Sequence, residues 1–226
     1  MTAPHPYPRV AHLVAGRGTR DDLVLSPSEV TDFLAQPVVV EEKVDGANVV
    51  VWMEGSQVTC ALRSGPGAMD RAGQLGPLRA WLAQHDEALR TVVPDGVALY
   101  AEWLLLTHSV AYDCLPAYLV ALDLWRAESG FAGVDGRNRA LRDTGIATPP
   151  ELWRGVAGTA VAVEGMMGRS AWGPELMEGV VARRLGGGEP RLAKLLRAGF
   201  DRLDDEGWHQ GRRPRNRLAD QDASWR

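Results

Sequence analysis

The sequence predicts an α+β domain built on antiparallel sheets with flanking helices. Three observations point there. β-branched runs at 38–42, 47–53 and 58–63, broken by Val44-Asp45-Gly46 and by Glu54-Gly55-Ser56-Gln57, read as a meander of three strands. Leu75, Leu78, Trp81, Leu82 and Leu89 recur at helical spacing, which predicts one amphipathic helix over 75–92, ending before Pro94. Gly186-Gly187-Gly188 joins strand runs at 179–185 and 191–196 as a hairpin.

The remaining elements follow in order. Residues 1–37 are punctuated by Pro and Gly and read as a peripheral segment, with Ser26-Pro27-Ser28-Glu29 supplying the N-cap and first turn of a short helix through Leu34. Residues 97–106 and 118–125 read as buried strands, and 134–144 and 156–167 as short helices. From Asp201 the chain is polar, which predicts a loosely held tail with Trp208 and Trp225 as its docking candidates. The expected division is therefore a peripheral 1–37, a core domain over 38–200 and an Arg-rich tail over 201–226.

Composition narrows the function. The 226 residues are 45% apolar and 24% charged, which excludes collagen-like and wholly disordered chains. A net charge of −4 excludes a polycation that coats nucleic acid indiscriminately. The charge is uneven, since residues 179–226 carry 11 basic and 7 acidic side chains. Any polyanion site is therefore local. Cys60 and Cys114 form neither a CxxC pair nor a dense framework, so reduced, partly buried thiols are expected. The N-terminus lacks an apolar signal region and no run approaches the ~18 residues of a membrane span, so the expected compartment is the cytoplasm, with no membrane partner.

The basic residues hold the sharpest signal. Of 25, 23 are Arg, and the two lysines are Lys43 and Lys194. A codon bias explains the arginines and is silent about where the lysines sit. Guanidinium does not replace an amine that must lose its proton or act as a compact charge. Lys43 lies in Glu41-Glu42-Lys43-Val44-Asp45-Gly46-Ala47-Asn48, where it is either a surface ion pair or an activated amine. Lys-x-Asp-Gly has a chance expectation of about 0.02 in this composition.

That motif resembles the nucleotide-accepting motif of the covalent nucleotidyltransferases, which comprise ATP-dependent DNA ligases, RNA ligases and mRNA capping enzymes. Arg63-Ser64-Gly65 is similar to their second motif, Leu99-Tyr100-Ala101-Glu102 to the third and Tyr118 to Asp123 to the strand that follows it. Glu178-Gly179-Val180-Val181 is similar to the fourth and Leu192-Ala193-Lys194-Leu195 to the fifth. Both lysines fall on motif positions. Asn48, five residues after Lys43, is similar to the phage nick-sealing RNA ligases, and Glu102-Trp103 with 107–113 and 193–200 resembles a family of short bacterial RNA-ligase-domain proteins.

The resemblance implies an ATP-grasp-like ligase adenylation fold and an ATP-dependent RNA ligase. Lys43 is then the nucleophile and Lys194 the cation at the α-phosphate. Glu42 (through its backbone), Asp45, Gly46, Arg63, Glu102, Glu178 and Lys194 form the nucleotide site, and Glu178, Glu102 and Asn48 hold Mg²⁺ or Mn²⁺. A nucleophilic amine must be neutral, a state that nearby cations favour and that guanidinium never reaches. Each residue also has a plain reading: Asp before Gly is good turn chemistry, a strand-end Glu is usually solvated, and Arg63 is one of 23 arginines. In the family an aromatic on the strand after the third motif stacks on adenine. Val120-Ala121-Leu122-Asp123 has none, so an aliphatic sandwich with less stacking energy is expected around the base. His108 receives no catalytic role.

The expected partners are RNA with 5′-phosphate and 3′-OH ends, together with a separate nucleic-acid-binding protein. Only 32 residues follow Lys194, too few for the OB-fold that DNA ligases and capping enzymes carry there. A DNA ligase or capping-type enzyme, and a non-catalytic RNA-end-binding module, stay open as alternatives. The Arg-rich 212–217 stretch suits RNA phosphates or is a solvated tail.

Overall fold

The computed structural model describes residues 5–16, 23–62, 73–185, 191–200 and 213–220. Two five-stranded sheets face each other. In chain order the strands are β1 (Ala11–His12), β2 (Pro37–Glu42), β3 (Ala47–Glu54), β4 (Gln57–Leu62), β5 (Val97–Trp103), β6 (Leu119–Arg126), β7 (Gly130–Phe131), β8 (Glu151–Val156), β9 (Gly179–Arg184) and β10 (Leu192–Leu196). The first sheet runs β1-β10-β9-β2-β8 and the second β4-β3-β5-β6-β7. Every pairing is antiparallel except β1 with β10. The expected α+β class with antiparallel sheets is the one observed.

The expected meander is not. β3 and β4 form a hairpin, but β2 pairs with β8 and β9, so Val44-Asp45-Gly46 is a crossing between sheets and not a turn within one. β8 was not anticipated, because Glu151–Val156 is half-exposed along its length and shows no clean alternation. The single helix expected over 75–92 is two, α2 (Leu75–Gln84) and α3 (Asp86–Val92). His85 divides them, its ring stacked on Trp81 and its Nδ1 bonded to the Trp81 carbonyl at 2.5 Å. α1 (Pro27–Leu34) matches its expectation, with Ser26 and Glu29 forming a capping box. α4 (Gly133–Ala140) and α5 (Ala160–Glu164) are shorter than the ranges their periodicity suggested.

Each sheet buries one face outward against helices. Val38 and Val40 with Val180, Ala182, Ala193 and Leu195 pack on Phe33, Leu34 and Val163 from α1 and α5. Val49, Val51, Leu99, Ala101 and Trp103 pack on Leu78, Trp81, Leu82 and Leu89 from α2 and α3. The opposite faces, one from each sheet, meet in the middle and carry the polar residues, because side chains alternate along a strand. Residues 5–16 and 213–220 both pack onto this body. Tyr7 lies against Tyr100 and Phe131, and Asn216 is 2% exposed. The expected peripheral and loosely held segments are thus, over these residues, built into the domain. Trp208, Trp225 and the glycine turn at 186–188 lie outside the described residues.

Candidate active site

Lys43 continues β2 by one residue. Its backbone N–H donates to Gly179 O at 2.9 Å, which sets it beside the start of β9. There its Nζ pairs with Glu178 Oε2 at 2.5 Å, the lysine side chain 18% exposed and the carboxylate fully buried. Gly179 permits the approach: a Cβ there would collide with Leu195 O and come within 2.8 Å of Leu196 Cα. The glycine of the Glu-Gly pair is required by the β9–β10 backbones, which leaves Glu178 at the strand mouth.

The crossing that follows is pinned on both sides. Asp45 Oδ2 accepts from the backbone N–H of Ser109 at 2.5 Å and of Val110 at 3.0 Å, and Asp45 N–H donates to the Tyr112 hydroxyl at 2.8 Å. Asp45 thereby fixes a loop rather than merely shaping a turn. A Cβ on Gly46 would lie 2.6 Å from both Trp103 O and Leu104 Cδ2, so no other residue fits there.

Glu102 waits on the second sheet. It is the register partner of Asn48 and accepts from Asn48 Nδ2 at 3.3 Å and from Gly46 N–H at 3.2 Å. Burial pushes its carboxyl up to about 7; Lys43 and the Asn48 amide pull it down, and Asp45 and Glu178 push it up again. Burial outweighs the nearby Lys43 charge at this carboxylate. A bulge between Tyr100 and Ala101 lies just before it, and another between Val40 and Glu41 lies just before Lys43. The extra residues are Leu122 on β6 and Leu152 on β8, so the neighbouring strands bend there.

Lys194 is the register partner of Val181, which is the partner of Glu41, so it lies on the same inner face and is 7% exposed. Glu42 alternates to the other face. Its Oε2 accepts from Ala171 N–H at 3.0 Å, and burial raises its carboxyl against the hydrogen bonds from Ser170 and Ala171. Its side chain anchors the 170–172 loop, which leaves the backbone for any contact with a nucleotide. Arg63, the second-motif arginine, lies outside the described residues. His108 faces Arg213, Glu178 and Lys43, and burial followed by the Arg213 charge lowers it to about 3, so it is neutral in the working range.

A second polar cluster on the inner faces had no counterpart in the sequence reading. Glu41 Oε1 accepts from Arg137 Nη2 at 2.5 Å, and its Oε2 pairs with Arg183 Nε at 2.6 Å. Arg183 reaches Tyr7 Oη at 2.9 Å and Asp123 Oδ2 at 3.8 Å. Arg137 also donates to the carbonyl of Leu122, the extra residue at the β6 bulge, at 2.9 Å. Nothing local in the sequence marks Arg137 or Arg183 among so many arginines. The inner face also holds Tyr100, on the strand beside the one searched for an aromatic.

A sequence profile of the RNA ligase family matches residues 36–196. The chain belongs to the RNA ligase family. Its matched span runs from the first residues of β2 to the last of β10 and holds Lys43, Asn48, Glu102, Glu178 and Lys194. Curated protein sequences provide no match. Solved structures similar to the chain include a mutant of Naegleria gruberi RNA ligase with ATP and Mn, at 15% identity and a TM-score of 0.49, covering 74% of this chain and 51% of that one. The same protein with PPi is 18% identical, with a TM-score of 0.49 and the same coverage. The chain thus spans about half the length of these solved relatives.

The donors at the inner face suit a hard divalent ion. Glu178, Glu102 and the Asn48 side-chain oxygen are oxygen ligands, and the under-compensated Glu102 favours a cation. Among the described residues no cluster of three or more His, Cys, Asp or Glu side chains forms a protein-only cage.

Proposed function

We propose that this member of the RNA ligase family is an ATP-dependent enzyme that seals RNA through a lysyl-AMP intermediate. The observation that carries the reading is the meeting of Lys43 with Glu178, beside the Glu102–Asn48 pair of the facing sheet. In the first step the neutral Lys43 Nζ attacks the α-phosphorus of ATP, a P–N bond forms, pyrophosphate leaves and the amine sheds a proton. In the second, an RNA 5′-phosphate oxygen displaces Lys43 and takes the AMP. In the third, a 3′-OH attacks that 5′-phosphorus, forming the phosphodiester and releasing AMP.

Lys194 places compact positive charge on the α-phosphate, where stabilisation of the transferring group counts most. Asp45 and Gly46 hold the nucleotide-side loop, the Glu42 backbone borders the base, and Arg63 contacts phosphate. A divalent ion held by Glu178, Glu102 and Asn48 supplies positive charge against the phosphates and against the ammonium form of Lys43. The free thiols of Cys60 and Cys114 suit the cytoplasm. Among the described residues no helix is long and apolar enough to cross a membrane. Substrate engagement by a separate nucleic-acid-binding protein belongs to the same reading.

The test is incubation with Mg²⁺ and ATP labelled at the α-phosphate, then denaturing electrophoresis. Wild-type protein is expected to carry the label and Lys43→Ala to lose it. Equal labelling of the two, or none of the wild type, sinks the reading. Nicked RNA, nicked DNA and single-stranded RNA then rank the substrates.

A further inference from the structure

The segment 213–220 is bolted to the loop that orders the site. Asn216 Nδ2 donates to Leu104 O at 2.8 Å, and its Oδ1 accepts from Thr107 Oγ1 at 2.9 Å and from Tyr112 N–H at 3.0 Å. Backbone bonds join Asn216 N–H to Leu105 O, Thr107 N–H to Pro214 O and Arg217 N–H to Tyr112 O. Leu218 packs on the cluster containing Val44, Leu104 and Tyr112. The side chain of Arg213 is thereby delivered to residues 107 and 108, where Nη1 donates to both carbonyls at 3.2 Å. The next two residues along, Ser109 and Val110, are those that hold Asp45, two positions from Lys43.

We propose that Arg213 is a phosphate-binding residue of this site, holding a phosphate other than the one Lys43 attacks. An Arg is charged at every working pH, and its fork matches phosphate oxygens. The neighbouring His108, held neutral, supplies no charge there. The ligand chemistry is a phosphate monoester or pyrophosphate anion. It comes either from the triphosphate tail of ATP or from the 5′ end of a strand, an identity that rests on the ligase reading, whereas anion binding does not.

The full chain is titrated in Mg²⁺ with inorganic pyrophosphate, and with a 5′-phosphorylated RNA oligonucleotide beside its 5′-hydroxyl twin. The variants are Arg213→Ala, Arg213→Gln, which keeps a donor for the two carbonyls without the charge, Arg213→Lys and, as a control, the exposed Arg154→Ala. Both uncharged variants are expected to weaken one phosphate probe by about tenfold. Arg213→Lys recovers part of the loss, and Arg154→Ala leaves the phosphate preference as in wild type. A loss on pyrophosphate assigns the tail of ATP, and a loss confined to the 5′-phosphorylated RNA assigns the strand end. Wild-type affinity in Arg213→Gln overturns the proposal, as does a wild type that binds neither phosphate probe. A loss in Arg213→Ala that Arg213→Gln restores along with thermal stability marks a structural residue and overturns it too. These titrations need no turnover, so a protein that binds phosphate yet never labels with ATP defeats the ligase reading alone.

Discussion

The two inner-face clusters use the same side-chain types to opposite ends. Around Glu41, two carboxylates meet two guanidinium groups, and Glu41, Arg137, Arg183 and Asp123 are each at most 4% exposed. Burial pushes the Asp123 carboxyl up, but Arg183, the Leu124 and Gly133 amides and Arg137 all oppose it. Around Lys43, an amine on a flexible stem meets Glu178 while Glu102 is left near 7. The first cluster is closed and charge-balanced; in the second, burial raises Glu102 and the lysine side chain stays 18% exposed. Balance serves cohesion between the sheets, and a perturbed carboxyl beside a partly exposed amine marks a candidate site.

The comparison breaks most sharply at Lys43. Lys43→Arg keeps a cation against Glu178 but cannot supply a neutral amine, so α-labelling is expected to vanish with the unfolding temperature nearly unchanged. Detectable label on that variant undoes the assigned nucleophile. The reverse outcome is expected at Glu41→Gln. Removing that charge strands two buried guanidinium groups and costs roughly 3–5 kcal/mol, read as a lowered urea midpoint. A midpoint like that of wild type means the balanced cluster does not hold the sheets together.

A smaller effect separates the clusters by pH. In metal-free, nucleotide-free protein the Glu102 carboxyl is raised from 4.5 to about 7. Its protonated form is the one the fold prefers, so the contribution is present below 4.5 and is lost as pH rises through about 7. Glu102→Gln is therefore expected to gain unfolding temperature relative to wild type as pH climbs across that window, checked by thermal melts at fixed ionic strength. A difference that stays flat shows that Glu102 is not the strained carboxylate. The least effect belongs to the exposed trio in which Arg154 pairs with Asp135 at 3.0 Å and Glu151 at 2.9 Å. Arg154→Ala is expected to cost under about 1 kcal/mol by urea unfolding, because solvent screens such pairs.

What was legible in the sequence follows the same division. Lys43, Asn48, Glu102 and Glu178 stand in short motifs at strand ends and Lys194 in one at mid-strand, and Gly46 and Gly179 are dictated by backbones a Cβ would strike. Local chemistry writes a local pattern. Glu41 and Arg137, 96 residues apart, leave none, since a buried ion pair asks only that each partner exist somewhere in the chain. The separation of β2 from β3 was hidden for a related reason: strand propensity says nothing about which strand lies alongside. The docked 213–220 segment was missed because its anchor is a single buried asparagine in a polar run, a residue that composition assigns to solvent.

The strand order has a consequence for how the molecule is made. The second sheet takes all its strands from residues 47–131, whereas the first sets β1 beside β10, residues 11–12 beside 193–194. During synthesis the second sheet can close while β8, β9 and β10 are still inside the ribosome. The paired Glu102 and Asn48 are then in place before Glu178 has joined the fold. Lys43, made before either, reaches its partner Glu178 only after a further 135 residues have followed it. A nascent chain therefore carries Lys43 long before the buried carboxylate that pairs with it.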